Sequence, residues 1–173
     1  RNLLAQGVSA EALTRTVAAL NDALTREVIN RTVQEHELEG LDWCWLALGS
    51  EGRGEQTLAT DQDNALIFAA PSEGKELLRA RHELIAFARD VNAALDQLGF
   101  PLCKGNIMAS NPQWCLTEAE WRAQFTTWIS EPTPERLLNA NIFFDFRPLY
   151  GDSTLADRLW DWLLARTQDN KLF

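Results

Sequence analysis

The segment Leu46–Phe68, LALGSEGRGEQTLATDQDNALIF, constrains this chain most, because it joins two apolar runs through a polar, glycine-rich break. Leu41–Leu48 (LDWCWLAL) is short, apolar and rich in aromatics, and it ends on Gly49. Asn64–Ala69 (NALIFA) is a second such run, stopped by Pro71. Runs of this length bounded by Gly and Pro read as buried strands. Between them, Gly49 to Thr60 contains three glycines and almost no apolar residue, the composition of a loop or tight turn.

Helical patterns flank this unit. From Ser9, a suitable N-cap, to about Glu39, the residues Leu13, Val17, Leu20, Leu24 and Val28 recur at helical spacing, and Gly40 closes the run. A second helix is expected from about Ser72 to Leu98, with Leu77, Leu84, Ala88, Val91, Leu95 and Leu98 as its buried stripe and Gly99 as its cap. Leu102–Ser110 reads as a third strand, ended by Asn111-Pro112. Beyond it the pattern is helical. Thr117-x-x-Glu120 is a capping box ahead of Trp121, Phe125 and Trp128 on one face. Thr133-Pro134 opens another helix, and Asp152-Ser153 a last one carrying Leu155, Leu159 and Trp162. The expected fold is α+β: a small mixed sheet with an N-terminal helix and a C-terminal helical bundle. The corresponding segments are 1–40 (helical), 41–112 (core) and 113–173 (helical).

Composition limits the partners. The 173 residues, 46% hydrophobic and 24% charged, can bury one substantial core. Sixteen Lys and Arg against twenty-five Asp and Glu leave a net charge of −9, which argues against a broad nucleic-acid surface while allowing one small basic pocket. Cys44, Cys103 and Cys115 form no C-x-x-C pair and only two histidines accompany them, so a disulfide scaffold or zinc site is not expected and a reducing cytoplasm fits best. The cysteines are read as buried apolar residues, and His36 and His82 as surface residues. No apolar run approaches the roughly 18 residues of a membrane span, and no secretory leader is evident. A chain opening on Arg1 is expected to be a piece of a longer protein.

The polar break carries the chemistry. Glycine frees backbone N–H groups to approach phosphate oxygens, and the Ser50 hydroxyl adds a donor. Arg53 inside the loop suits a phosphate, or a salt bridge with Glu51 or Glu55. Asp61 and Asp63 follow Ser50 by eleven and thirteen positions at the start of the second strand. Residues i and i+2 of a strand share a face, roughly 6.5–7 Å apart by rise, so the two carboxylates can hold Mg²⁺ together with substrate phosphates. Two rival phosphate loops fail. Gly49 and Gly54 have P-loop spacing, but Glu55-Gln56 stand where Lys-Ser/Thr is needed. Gly52-x-Gly54 lacks the third glycine of the dinucleotide fingerprint and leads into a strand.

A Gly-Ser after a strand, followed by Asp-x-Asp on the next strand, resembles the nucleotidyltransferase superfamily with the DNA-polymerase-β-like fold. The string GSEGRGEQTLATDQDNALI is similar to the catalytic region of bacterial PII uridylyltransferases. It is closer still to a nucleotidyltransferase family found beside CBS and cyclic-nucleotide-binding domains in bacterial signalling proteins. Lys104–Trp114 (KGNIMASNPQW) and Phe143–Asp152 (FFDFRPLYGD) also look like segments of that family. The resemblance implies a sheet of that superfamily's type, with Gly49 and Ser50 holding a nucleoside triphosphate and Asp61 and Asp63 holding Mg²⁺ or Mn²⁺. It further implies transfer of a nucleoside monophosphate to an acceptor hydroxyl, on a regulatory protein or small molecule, with neighbouring regulatory domains in the full-length chain. Lys104 is a further candidate for the nucleotide, or is simply solvated. The superfamily's third carboxylate is missing from the expected third strand. Asp145 is the candidate for it, the alternative being an ion pair with Arg147. The other reading of the same residues is a catalytically inactive nucleotide-sensing or interaction domain of this fold.

Overall fold

Trp43, Trp45 and Ala47 line one buried cluster, and Cys44, Leu46 and Leu48 line another, so the central strand is covered on both faces. That is why LDWCWLAL shows no polar alternation. A computed structural model of the chain describes residues 9–56, 60–70, 74–130, 133 and 141–168. Its four-stranded sheet comprises β1 (Trp43–Ala47), β2 (Asn64–Phe68), β3 (Cys115–Thr117) and β4 (Arg147–Gly151), in the order β3-β2-β1-β4. β1 is antiparallel to β2 and β4, and β2 is parallel to β3, which makes the sheet mixed.

Helices α1 (Ala10–Thr32) and α3 (Lys75–Gln97) cover one face, packing Val28, Ile29, Leu84, Phe87, Ala88 and Val91 against Trp43, Trp45, Leu66 and Phe68. Helices α4 (Glu118–Ser130) and α5 (Ser153–Gln168) cover the other. There Trp114, Trp121 and Trp128 surround Phe143, with ring centroids 4.4, 5.5 and 5.2 Å from it. The fold is therefore α+β, with helices at both ends of the chain. α2 is the single turn Gly49–Gly52. Among the described residues, no helix is long and apolar enough to cross a membrane.

Several local expectations need correction. α1 ends at Thr32, followed by a 3-10 turn at Val33–Glu35 rather than helix to Glu39. Its buried arc is Val17, Ala18, Thr25, Val28 and Ile29, and Leu20 and Leu24 fall just outside it, exposed. Leu98 is likewise exposed at the end of α3. Leu102–Ser110 is a turn-rich loop rather than a strand, with Asn106 at φ +56. The third strand is instead β3, and β4 lies within the stretch read as helical. Pro148 is tolerated in β4 because it is an edge strand, beside an irregular register at Trp45/Leu46. His36 is no surface residue: its ring approaches Asp90 at 2.9 Å and meets Phe87 edge-on, while His82 is exposed. The helix expected at Thr133-Pro134 lies outside the described residues.

Candidate functional site

β1 runs out at Ala47, and at Gly49 the backbone takes φ +51, left-handed geometry suited to glycine. The single turn α2 follows, within the stretch whose composition predicts a loop or tight turn. Gly52 N–H donates to Leu48 O at 2.9 Å, Arg53 N–H to Gly49 O at 3.1 Å and Glu55 N–H to Ser50 O at 2.8 Å. The amides of Gly49, Ser50 and Glu51 stand ahead of the first of these bonds. Gly52 is required for a different reason. A Cβ there would lie 1.9 Å from the Asp145 carbonyl oxygen and 3.1 Å from that of Ala47.

Asp61 and Asp63 lie just before β2, outside the strand at whose start the sequence pattern placed them. Leu48 N–H donates to Asp63 O at 3.0 Å, which holds this segment against the start of the turn. Gln62, between the two acids, points into a buried amide network. Its Nε2 donates to Asn92 O and Phe100 O, and its Oε1 accepts from Asn92 Nδ2. Asn64 Oδ1 in turn accepts from Asn92 Nδ2 and from the Ala109 amide. Three side-chain amides therefore anchor the 100–110 loop, together with backbone bonds from Gln62 N–H to Pro101 O at 3.0 Å and from Asn64 N–H to Ile107 O at 3.2 Å.

Asp61 is exposed and Asp63 half-buried. A Cβ on Gly49 would lie 3.5 Å from Asp63 Oδ2, so the carboxylate abuts the glycine that starts the turn. Burial raises the Asp63 pKa, the Asp61 charge raises it further, and a hydrogen bond from the Cys103 thiol lowers it. No cation offsets that charge among the described residues. Cys103 thus departs from the buried-apolar expectation, which Cys44 and Cys115 meet. Two uncompensated carboxylates suit Mg²⁺, which binds through one or two protein acids plus water and phosphate oxygens rather than an all-protein cage. Among the described residues, no group of three or more His, Cys, Asp or Glu side chains is arranged to hold a metal.

The remaining candidates are dispersed around the turn. Arg53 joins Glu55 at 2.7 Å and Asp145 at 2.6 Å, so Asp145 pairs with Arg53 and not with Arg147. Lys104 is exposed, next to Cys103 and without a partner among the described residues. Arg147 forms a bidentate pair with Asp22 of α1, both N–O distances 2.9 Å, and also donates to Glu51 O at 3.1 Å and Gly52 O at 3.3 Å.

Glu51, which the sequence offers only as a salt-bridge partner for Arg53, leaves that role to Glu55 and is buried within α2. Burial, then the Asp22 charge, push its pKa up to about 8, with Arg147 opposing and Asp63 adding. Its one signal in the sequence is a carboxylate directly after Gly-Ser, where a plain polar loop would leave it in solvent.

A family model described as putative nucleotidyltransferase DUF294 matches residues 1–135. No curated protein and no solved structure matches the chain.

Proposed function

The chain belongs to the putative nucleotidyltransferase family DUF294, and from that premise we propose that it transfers a nucleoside monophosphate from an NTP to an acceptor hydroxyl, using Mg²⁺ or Mn²⁺ and releasing pyrophosphate. The observation that carries this reading is the contact at Gly49, where the Asp63 carboxylate lies 3.5 Å from a would-be Cβ. A triphosphate seated on the turn would meet the acid pair directly.

In this reading the Gly49 and Ser50 amides and the Ser50 hydroxyl receive the β- and γ-phosphates. Asp61 and Asp63 hold the ion as carboxylates, and the ion, when bound, neutralises charge developing during in-line displacement at the α-phosphorus. The acceptor oxygen forms the new P–O bond, the bond to the β-phosphate bridge breaks, and pyrophosphate leaves. Arg53 exchanges Asp145 for a phosphate oxygen, and Lys104 approaches from the Cys103 side. Asp145, released from Arg53, takes the acceptor proton. The acceptor is a hydroxyl on a regulatory protein, uridylyltransferase-like, or on a small molecule, since the −9 balance suits neither DNA nor RNA. Neighbouring regulatory domains of a signalling protein complete the picture. Three free cysteines suit the cytoplasm.

Nucleotide sensing without catalysis is the second reading. It is favoured by the Arg53–Asp145 ion pair, which engages the candidate third acid. Isothermal titration with each NTP and Mg²⁺, on wild type and on Asp61→Ala/Asp63→Ala, separates the cases. Binding that requires the metal and both acids, with pyrophosphate release over a panel of acceptors, supports transfer. Such binding without pyrophosphate release leaves the sensor, and binding that ignores the metal and both acids sinks the transferase reading.

A further inference from the structure

We infer that Arg147, anchored by Asp22, is a positioning residue for the Gly49–Gly52 turn, so that α1 fixes the geometry of the nucleotide site from outside it; this rests on the nucleotidyltransferase reading. The evidence is the full use of one guanidinium. Nη1 and Nη2 engage the two Asp22 carboxylate oxygens at 2.9 Å each, Nη2 also reaches Glu51 O, and Nε reaches Gly52 O. Those carbonyls belong to the end of a one-turn helix, where Glu51 O also accepts from the Gly54 amide at 3.1 Å. Arg147 therefore caps the turn at its C-terminal side while the Gly49 and Ser50 amides open it.

The placement is built in from several directions. Arg147 pairs in register with Ala47, the last residue of β1, so its side chain starts beside the strand end from which the turn springs. Asp22 is largely buried, with 14% of its side chain exposed, and Arg26 lies 3.6 Å from it. Arg26 also donates to Leu149 O at 3.0 Å, a second tie between α1 and β4. The Asp145 carbonyl oxygen stands 1.9 Å from where a Cβ on Gly52 would lie. The turn is thus gripped between β4 and α1, and the planar fork of arginine makes all four bonds at once, which a lysine ammonium cannot reproduce.

The test compares wild type with Asp22→Asn, Arg147→Lys and the double variant. Two readouts are taken: titration with the Mg²⁺ complexes of ATP, GTP, CTP and UTP, and amide hydrogen exchange at Gly52 and Arg53, with thermal midpoints recorded beside them. Each single variant should weaken the best NTP about tenfold and speed exchange at those two amides about tenfold, while β2 amides stay protected. The double variant should be no weaker than the poorer single, because both changes cut the same link. A wild type that binds none of the four overturns the nucleotide reading itself. A wild type that binds while the variants match it, or additive losses, or faster exchange spread equally through β2, overturns the positioning role alone.

Discussion

Gly52 and Gly54 stand two residues apart in the same turn and answer to opposite demands. At Gly52 the backbone conformation is open to any residue, but a methyl group would meet the Asp145 carbonyl oxygen at 1.9 Å and Ala47 O at 3.1 Å. Both obstacles are backbone, so neither yields without moving β4 or β1. Gly54 has empty space around its would-be Cβ and a φ of +66, so the cost of a side chain there is conformational alone. Gly52→Ala should therefore lower stability by about 3 kcal/mol or more, or prevent the turn from forming, as overpacking against a fixed backbone does. Gly54→Ala should cost about 1 kcal/mol, the strain of a left-handed alanine. Urea unfolding of both variants checks the pair, and equal losses would mean that the Asp145 segment does not press on the turn.

Elements whose determinants are local could be read from the sequence, and those whose determinants are distant could not. Ser9 caps α1 by accepting from the Ala12 amide, and Asp152 accepts from the Thr154 amide at the start of α5, both within three residues of chain. β1 and β2 are legible because burial on both faces leaves them apolar apart from Asn64 at the start of β2. β4 carries Arg147 and Pro148 at a sheet edge, and its pairing partner β1 is about a hundred residues earlier, so no nearby pattern marks it. The 100–110 loop looks like a strand in sequence because its anchors, Gln62, Asn64 and Asn92, lie elsewhere in the chain. The same rule divides the candidate site. Gly49, Ser50, Asp61 and Asp63 sit within one short segment, whereas Asp22 and Arg147 are separated by 125 positions.

The capping box joins both kinds of determinant. Glu120 accepts from the Thr117 amide and hydroxyl at 2.8 Å, as its spacing predicts, and also from Arg81 of α3 at 2.7 Å. Burial alone would raise its pKa, yet the Arg81 and Thr117 hydrogen bonds hold it below the ordinary 4.5. Its contribution is present above that value and is lost as pH falls through the folded pKa. Glu120→Gln should cost about 1 kcal/mol at pH 7 and flatten the acid limb of the stability curve. Unfolding measured from pH 3 to pH 7 tests this, and parallel acid limbs in the two proteins would remove Glu120 from the account.

At the scale of the whole molecule, two helical layers rigidify a sheet whose end carries charge that folding does not neutralise. Asp63 is half-buried beside Asp61 with no cation to offset it among the described residues, and Glu51 is buried near both Asp22 and Asp63. The pKa values of Asp63 and Glu51 are raised, so the folded chain holds more protons than the unfolded chain above their ordinary values. The contribution of these two groups is then full below their ordinary values of 3.8 and 4.5 and falls as pH rises, for Glu51 through its value of about 8. A site that accepts this cost without ligand is expected of a function that recovers it on binding. Asp63→Asn removes the charge and keeps an acceptor for the Cys103 thiol. Without ligand it should therefore raise stability by about 1 kcal/mol, or about 2–4 °C in Tm for a chain of this size, and lessen the decline that begins above the ordinary 3.8 of an aspartate. With Mg²⁺ and the best NTP at a hundred times Kd, wild type should gain about 2.7 kcal/mol and the variant nothing. The order of the two melting curves would then reverse between the free and liganded states. If Asp63→Asn melts lower than wild type without ligand, the carboxylate is part of the structural framework, and the destabilising acid pair disappears as the reason for binding a cation there.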